Sequence, residues 1–243
     1  MKGYEPVMSF GEETARRDLD VQRGDEVAAV ACLEQLAGRG PALELAIGTG
    51  RIAVPLAARG IRVDGIDISP AMVAQLRARP DGDRIPVTVG DFAGVPVPGV
   101  YRLIYVVWNT LFNLLTQEDQ VRCFENVAAH LTDDGVFLIE AYVPDFLYRL
   151  RNDQYVDAES IEVNEVRFDL LRHDMATQII VESHVSLSAA GVRLNPVVQR
   201  YAWPSELDLM GRIAGLRLKH RWGGWNREPY TSASSFHVSV YGR

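Results

Sequence analysis

Between Ala42 and Ile139 the chain alternates short apolar runs with stretches at helical spacing. Ala42–Ile47, Arg62–Ile66, Pro86–Val89, Leu103–Val107 and Val136–Ile139 read as five strands. The fourth is continuously apolar, as a strand buried on both faces must be. Helices fall between them. Arg51–Ala58 is closed by Gly60, and a second helix to about Arg79 is opened by Ser69 as N-cap and Pro70 at its first position. A third runs from Thr116-Gln-Glu-Asp119, which has the form of a capping box, to Leu131. Asp25–Gly38, with Val27, Val30, Ala31 and Leu36 at helical spacing, precedes the first strand, and Thr132–Gly135 reads as a turn. Regular alternation of this kind predicts an α/β fold built on a doubly wound, mostly parallel sheet.

The rhythm changes after Pro144. Residues 161–170, 177–187 and 192–203 alternate polar and apolar positions, and Ala189-Ala190-Gly191 supplies a turn between two of them. This predicts an added antiparallel meander. Pro204-Ser205-Glu206 then opens a helix ending at Gly215, followed by strands Leu216–Trp222 and Phe236–Tyr241. The expected organisation is an N-terminal segment, 1–24, that either covers the site or forms a loose end. Residues 25–144 with 204–243 form the core, and 145–203 are an insertion serving as substrate cover or homodimer contact.

The net charge of −7 argues against a nucleic-acid partner held through phosphates. Cys32 and Cys123 sit on apolar helical faces and read as buried thiols, and two cysteines make no structural zinc site, so no metal is expected. A basic region followed by an apolar core is missing at the N-terminus, and no apolar run approaches ~18 residues. No membrane partner and a cytoplasmic location are therefore expected.

The chemistry starts where the first strand runs into Gly48-Thr49-Gly50 and then a helix. Such a turn brings backbone N–H groups close to a polar ligand. Gly48-Thr-Gly-Arg-Ile-Ala53 satisfies the dinucleotide fingerprint, with Asp67 ending the second strand, so an NAD-dependent oxidoreductase must be weighed. Two features disfavour it. Glu44 places a carboxylate inside a strand that a dinucleotide fold keeps apolar, where it is costly unless paired. Gly90-Asp91-Phe92 ends the third strand with an acid beside an aromatic, suited to an adenine amino group and ring.

With Glu44–Gly50, Gly65-Ile-Asp67-Ile-Ser69-Pro-Ala-Met72, Gly90-Asp91-Phe92 and Leu131–Gly135, the chain resembles the class I S-adenosylmethionine-dependent methyltransferases over about residues 25–144 and 205–243. The resemblance implies a seven-stranded sheet whose last strand is antiparallel. It implies that Ala46, Gly48, Thr49 and Gly50 lie against the methionine part of the cofactor, with Glu44 organising the loop near the amino group. Asp67 would hold the ribose, Ile68 and Met72 would pack on adenine, and Gly90, Asp91 and Phe92 would bind its amino group. Trp108 and Asn109 would line the sulfonium end. Met72 and Trp108 read equally well as core residues.

Trp108-Asn-Thr-Leu-Phe-Asn113 looks most like the small-molecule branch, including amino-sugar N-methyltransferases, some of which carry His where this chain has Asn113. Asn113 and Glu140 are the candidate catalytic residues, Glu140 reading alternatively as partner to a buried arginine. Tyr4, Tyr142, His184 and Arg200 are the candidate substrate contacts, although a lone strand histidine is more often satisfied elsewhere. The expected reaction moves a methyl group to N or O of a small natural product or metabolite. Non-methylating use of the sulfonium, such as internal cyclisation, stays open beside it.

Overall fold

Five parallel strands, β1 (Ala42–Leu45), β2 (Val63–Asp67), β3 (Val87–Val89), β4 (Tyr101–Val106) and β5 (Leu131–Tyr142), form the body of the main sheet. The computed structural model describes residues 4, 9–18 and 23–243, with residues 17 and 18 by backbone alone, so part of the expected N-terminal segment lies outside the described residues. Adding β10 (Arg217–Trp222) and β11 (Phe236–Gly242) gives seven strands in the order β10-β11-β5-β4-β1-β2-β3. Only β11 runs against the rest, pairing antiparallel with both β5 and β10.

Helices cover both faces. On one side α2 (Glu26–Ala37) and α3 (Ala53–Ala58) bury Leu33 and Leu56 with Leu103 and Tyr105 of β4. On the other, α5 (Gln117–Ala129) buries Phe124 and Val127 with Ile104 and Val106, so side chains of β4 alternate between the two cores. Phe124 makes edge-to-face contacts with Phe137 and Tyr241 at centroid distances of 5.2 and 5.6 Å.

Local chemistry sets the helix starts. Ser69 Oγ accepts the Met72 N–H at the head of α4 (Pro70–Ala78), and Thr116 Oγ1 accepts the Asp119 N–H at the head of α5. The expected turn at Thr132–Gly135 is instead an irregularity inside β5. The register with β4 jumps from Tyr101↔Leu131 to Leu103↔Val136, and a Cβ at Gly135 would meet Tyr101 O at 2.9 Å.

The meander is a separate sheet of four antiparallel strands, β6 (Gln154–Ile161), β7 (Glu165–Asp174), β8 (Ile179–Ser188) and β9 (Gly191–Arg200), where three were expected. β6 is an almost wholly exposed edge, so it carries no apolar alternation to read. After α6 (Pro204–Ile213) the chain returns to the main sheet. A short helix, α1 (Glu12–Asp18), precedes α2. No described helix is long and apolar enough to cross a membrane.

Candidate active site

β1 is flanked by β2 on one side and β4 on the other, so the strand order reverses at its carboxyl end. That is where open α/β sheets leave a crevice. Here it is a cavity of about 520 Å³.

One end is built from loops after β1, β2 and β3. Ala46, Gly48 and Thr49 line it from the first loop, Asp67, Ile68 and Met72 from the second, Asp91 and Phe92 from the third. Asp67 ties two loops together: its carboxylate accepts the Gly48 N–H at 2.7 Å and the Ser69 N–H at 2.8 Å. Asp91 caps the following turn by accepting the Ala93 N–H at 2.9 Å, and its other oxygen meets Arg122 at 3.4 Å. Ala46 holds a left-handed φ of 55°, a strained conformation for a residue with a Cβ.

Gly50 does not line the cavity. It has φ +80°, and a Cβ there would lie 2.9 Å from Leu76 Cδ1, so it serves helix packing rather than ligand approach. Gly90 is likewise outside the lining, donating its N–H to Asp67 O at 2.9 Å.

Glu44 reaches the cavity floor from within β1. Among the described residues its hydrogen-bonded side-chain partner is Tyr105, directly opposite on β4, whose hydroxyl donates at 2.9 Å. Burial pushes the Glu44 carboxyl up to about 8, opposed by the Tyr105 hydroxyl and by Arg51.

The loop after β4 turns sharply because Trp108 and Asn109 both adopt left-handed φ, 58° and 59°. The end of β5 holds it. Glu140 Oε2 accepts the Trp108 N–H at 2.8 Å, and Asn109 Oδ1 accepts the Tyr142 N–H at 2.6 Å. Trp108 is half exposed and lines the cavity with the Arg23 guanidinium over its ring, so it is not a core residue. Met72 is both buried and cavity-lining.

Glu140 itself is buried behind this loop and outside the lining. Besides the Trp108 N–H it accepts the Trp225 indole N–H at 3.3 Å and lies 3.7 Å from Arg23. Its geometry is that of an anchor for the loop rather than of an acid or base facing a substrate. Asn109 and Tyr142 are also outside the lining, and the Tyr142 hydroxyl donates to Gln199. Arg200 is buried in a pair with Glu206 at 2.7 Å, hydrogen-bonded to Gln120 and Gln178, and is outside the lining of this cavity.

The far end of the cavity is closed by Asn113 and by His184, Asn195 and Val197 of the second sheet. The N-terminal residues strap across it. Phe10 O accepts from Ser69 Oγ at 2.6 Å, Thr14 Oγ1 donates to Asn195 Oδ1 at 3.2 Å, and Ser9, Phe10 and Thr14 all line the cavity. Tyr4 shares a 2.7 Å hydrogen bond with Ser9 Oγ against β9 and is not itself in the lining. Tyr4 and a covering N-terminal segment were expected from sequence, but no site role was assigned there to Ser9, Phe10, Thr14, Arg23 or Arg51, because no periodicity marks a strap contact or a charge paired across elements.

Comparison with known proteins adds to this geometry. A model described as "Methyltransferase domain" matches residues 42–135. The structure matches that of the CcbJ methyltransferase from Streptomyces caelestis with a TM-score of 0.91 and 32% identity, covering 98% of this chain and 99% of that one. The cypemycin N-terminal methyltransferase of a Streptomyces species is 28% identical over 211 residues, 86% of this chain and 84% of its own length. The sugar N-methyltransferase KedS8 from Streptoalloteichus sp ATCC 53650 shares the fold at 18% identity and a TM-score of 0.68, over 100% of this chain and 97% of that one.

Proposed function

This chain belongs to the S-adenosylmethionine-dependent methyltransferases, and from that premise we propose that it methylates an N or O atom of a small natural-product-type acceptor. The observation that carries the reading is the continuity of one cavity. Its lining runs from the loops bearing Asp67 and Asp91 to His184, Asn195 and Val197 of the antiparallel sheet.

The residues present fit the cofactor. A carboxyl group on an apolar floor, Glu44, is ready to face an ammonium group. Gly48 and Thr49 offer backbone, Asp67 a carboxylate for ribose hydroxyls, Ile68 and Met72 an apolar wall, and Asp91 with Phe92 an acceptor and a ring face for adenine. When bound, the sulfonium supplies a methyl group for in-line displacement. The protein's task is then orientation. Trp108, fixed by Glu140, lines the cavity, as does Asn113 with the second-sheet residues. Ser9, Phe10 and Thr14 add the N-terminal strap to the lining, a surface that would help exclude water from a bound ligand. Buried, unpaired Cys32 and Cys123 suit a reducing cytoplasm.

Calorimetry of the full chain with S-adenosylmethionine, S-adenosylhomocysteine and NAD tests this reading. Binding of the first two and not of NAD is expected, and NAD binding without sulfonium binding overturns it. Incubation with S-adenosylmethionine alone, read by mass spectrometry, is expected to leave it intact. Methylthioadenosine appearing without an acceptor indicates internal cyclisation instead.

A further inference from the structure

Directly opposed residues of antiparallel strands carry their side chains on one face. In the second sheet Asp169 of β7 opposes His184 of β8, which opposes Asn195 of β9. In the next row Leu171 opposes Glu182, which opposes Val197. His184, Asn195 and Val197 line the cavity with Asn113, and Asp169 and Glu182 share their sheet face beside it.

His184 Nδ1 lies 2.7 Å from Asp169 Oδ1. A carboxylate at that nitrogen fixes the tautomer with the proton on Nδ1 and leaves Nε2 with a free lone pair. Nε2 has no hydrogen-bond partner among the described residues. Glu182 brings a second carboxylate, the three groups lying within 4.8 Å of one another, and it too makes no hydrogen bond among the described residues. Burial pushes the Glu182 carboxyl up, with His184 opposing.

The charged groups around His184 are largely acidic. They are Asp169 from β7, Glu182 from its own strand, and Asp157 of β6, opposite Asp169. Across the cavity stand Asp119 and Arg23. The arginines of the same sheet face are already paired, Arg167 with Glu165 and Arg193 with Glu13.

We propose that the acceptor is an amine, drawn in as its ammonium form by the carboxylate of Glu182, and that His184, oriented by Asp169, is the general base that frees its lone pair. This rests on the methyltransferase reading. The ammonium gives one N–H proton to His184 Nε2. The nitrogen lone pair attacks the methyl carbon, and the carbon–sulfur bond breaks with its electron pair passing to sulfur. The products are the methylated amine in its ammonium form and S-adenosylhomocysteine, and the imidazolium returns its proton to water. Asp169 is the positioning residue.

A magnitude separates amine from hydroxyl. An ammonium proton near pKa 10.4 is about 5 pK units more acidic than one on a hydroxyl as weakly acidic as water, near 15.7, so an imidazole base takes the first far more readily than the second. No unpaired cation in this row compensates the second.

The test uses the full chain with S-adenosylmethionine and three amine probes, D-glucosamine, cyclohexylamine and the peptide Ala-Ala-Ala. Each is set against its hydroxy counterpart. S-adenosylhomocysteine formation is expected with at least one amine and with no hydroxy counterpart. In wild type kcat/KM should rise with pH through one ionisation. His184→Gln should lower kcat at least about 100-fold and lose that limb. Asp169→Asn should displace the limb, and Glu182→Gln should raise KM more than kcat falls. Independently of turnover, 15N spectra of the histidines should show His184 protonated on Nδ1, a signature lost in Asp169→Asn. Turnover of a hydroxy counterpart, no amine turned over, or His184→Gln within threefold of wild type overturns the proposal. Calorimetry with S-adenosylmethionine on the same samples separates the failures: absent cofactor binding sinks the methyltransferase reading, whereas intact binding with unaffected variants sinks the amine assignment alone.

Discussion

The Tyr105 hydroxyl donates to Glu44 Oε2 across 2.9 Å, and both side chains are buried where β1 and β4 lie side by side. Glu44 is therefore held against a neutral donor, and burial raises its pKa from 4.5 to about 8. A carboxyl raised in the folded state stabilises the fold fully below its unfolded value near 4.5, and that contribution is lost as pH climbs through about 8. The unliganded chain should thus lose stability between pH 5 and pH 9, by something on the order of a few kcal/mol from this group. In Glu44→Gln that part of the slope should vanish. Urea unfolding at pH 5, 7 and 9 on both proteins measures it, and parallel slopes refute it.

Asp67 and Asp91 differ in what else they hold. Asp67 is buried and accepts two backbone N–H groups, whereas Asp91 is about half exposed and accepts one in a short turn. Asp67→Ala should weaken S-adenosylhomocysteine binding and also lower stability by about 1–3 kcal/mol, because buried donors lose their acceptor. Asp91→Ala should weaken binding with stability nearly unchanged. Calorimetry and thermal unfolding on each variant separate the two effects. Unchanged affinity in both removes them from the site.

Two glycines near the first loop make a second contrast. A Cβ on Gly65 would lie 2.4 Å from Ile47 Cδ1 and 2.9 Å from Ile47 Cβ, and Ile47 lines the cavity. A Cβ on Gly50 would press on Leu76 and Val54, away from the cavity, at a left-handed φ of +80°. Both Ala variants should lose about 1–3 kcal/mol. Gly65→Ala should weaken cofactor binding clearly more than Gly50→Ala does. Equal affinities would show that the crowding at Ile47 does not reach the ligand.

The loops proposed to hold the cofactor were readable as loops at strand ends because their parts are local. A strand, a two-residue signal and a helix cap occupy consecutive positions, as in Gly65–Met72, and parallel topology then gathers the strand ends. The loop at Trp108 was located too, and Glu140 as partner to a buried arginine was one of its two readings, met by Arg23 at 3.7 Å, but its hold on the loop was not foreseen. Its carboxylate meets the Trp108 backbone and Trp225, separated by 32 and 85 positions, and no spacing in the chain encodes either contact. The acceptor end depends on pairings of the same long-range kind. Asp169 faces His184 only because β7 and β8 adopt one register, and slipping it by one residue would turn His184 to the other face.

Arg200 tests the boundary between structure and substrate recognition. Sequence placed it among the substrate contacts, but it is buried, 2.7 Å from Glu206 and from Gln120 Oε1, and 2.8 Å from Gln178 Oε1. The burial of Glu206 is outweighed by bonds from Gln178, Arg200 and Gln117, which hold its pKa below the usual value. A carboxylate lowered in this way stabilises the fold above its unfolded pKa, and that contribution is lost as pH falls through the lowered value. Removing the arginine strands this carboxylate among buried amides. Arg200→Met should cost about 3–5 kcal/mol at neutral pH. Removing both charges, in Arg200→Met with Glu206→Gln, should restore a good part of it, since no uncompensated charge remains. Cofactor affinity of whatever fraction folds should match wild type. Unfolding free energies for the two single variants and the double variant give the coupling directly. A near-zero coupling, or an acceptor KM that rises in Arg200→Met without loss of stability, would return Arg200 to the substrate site.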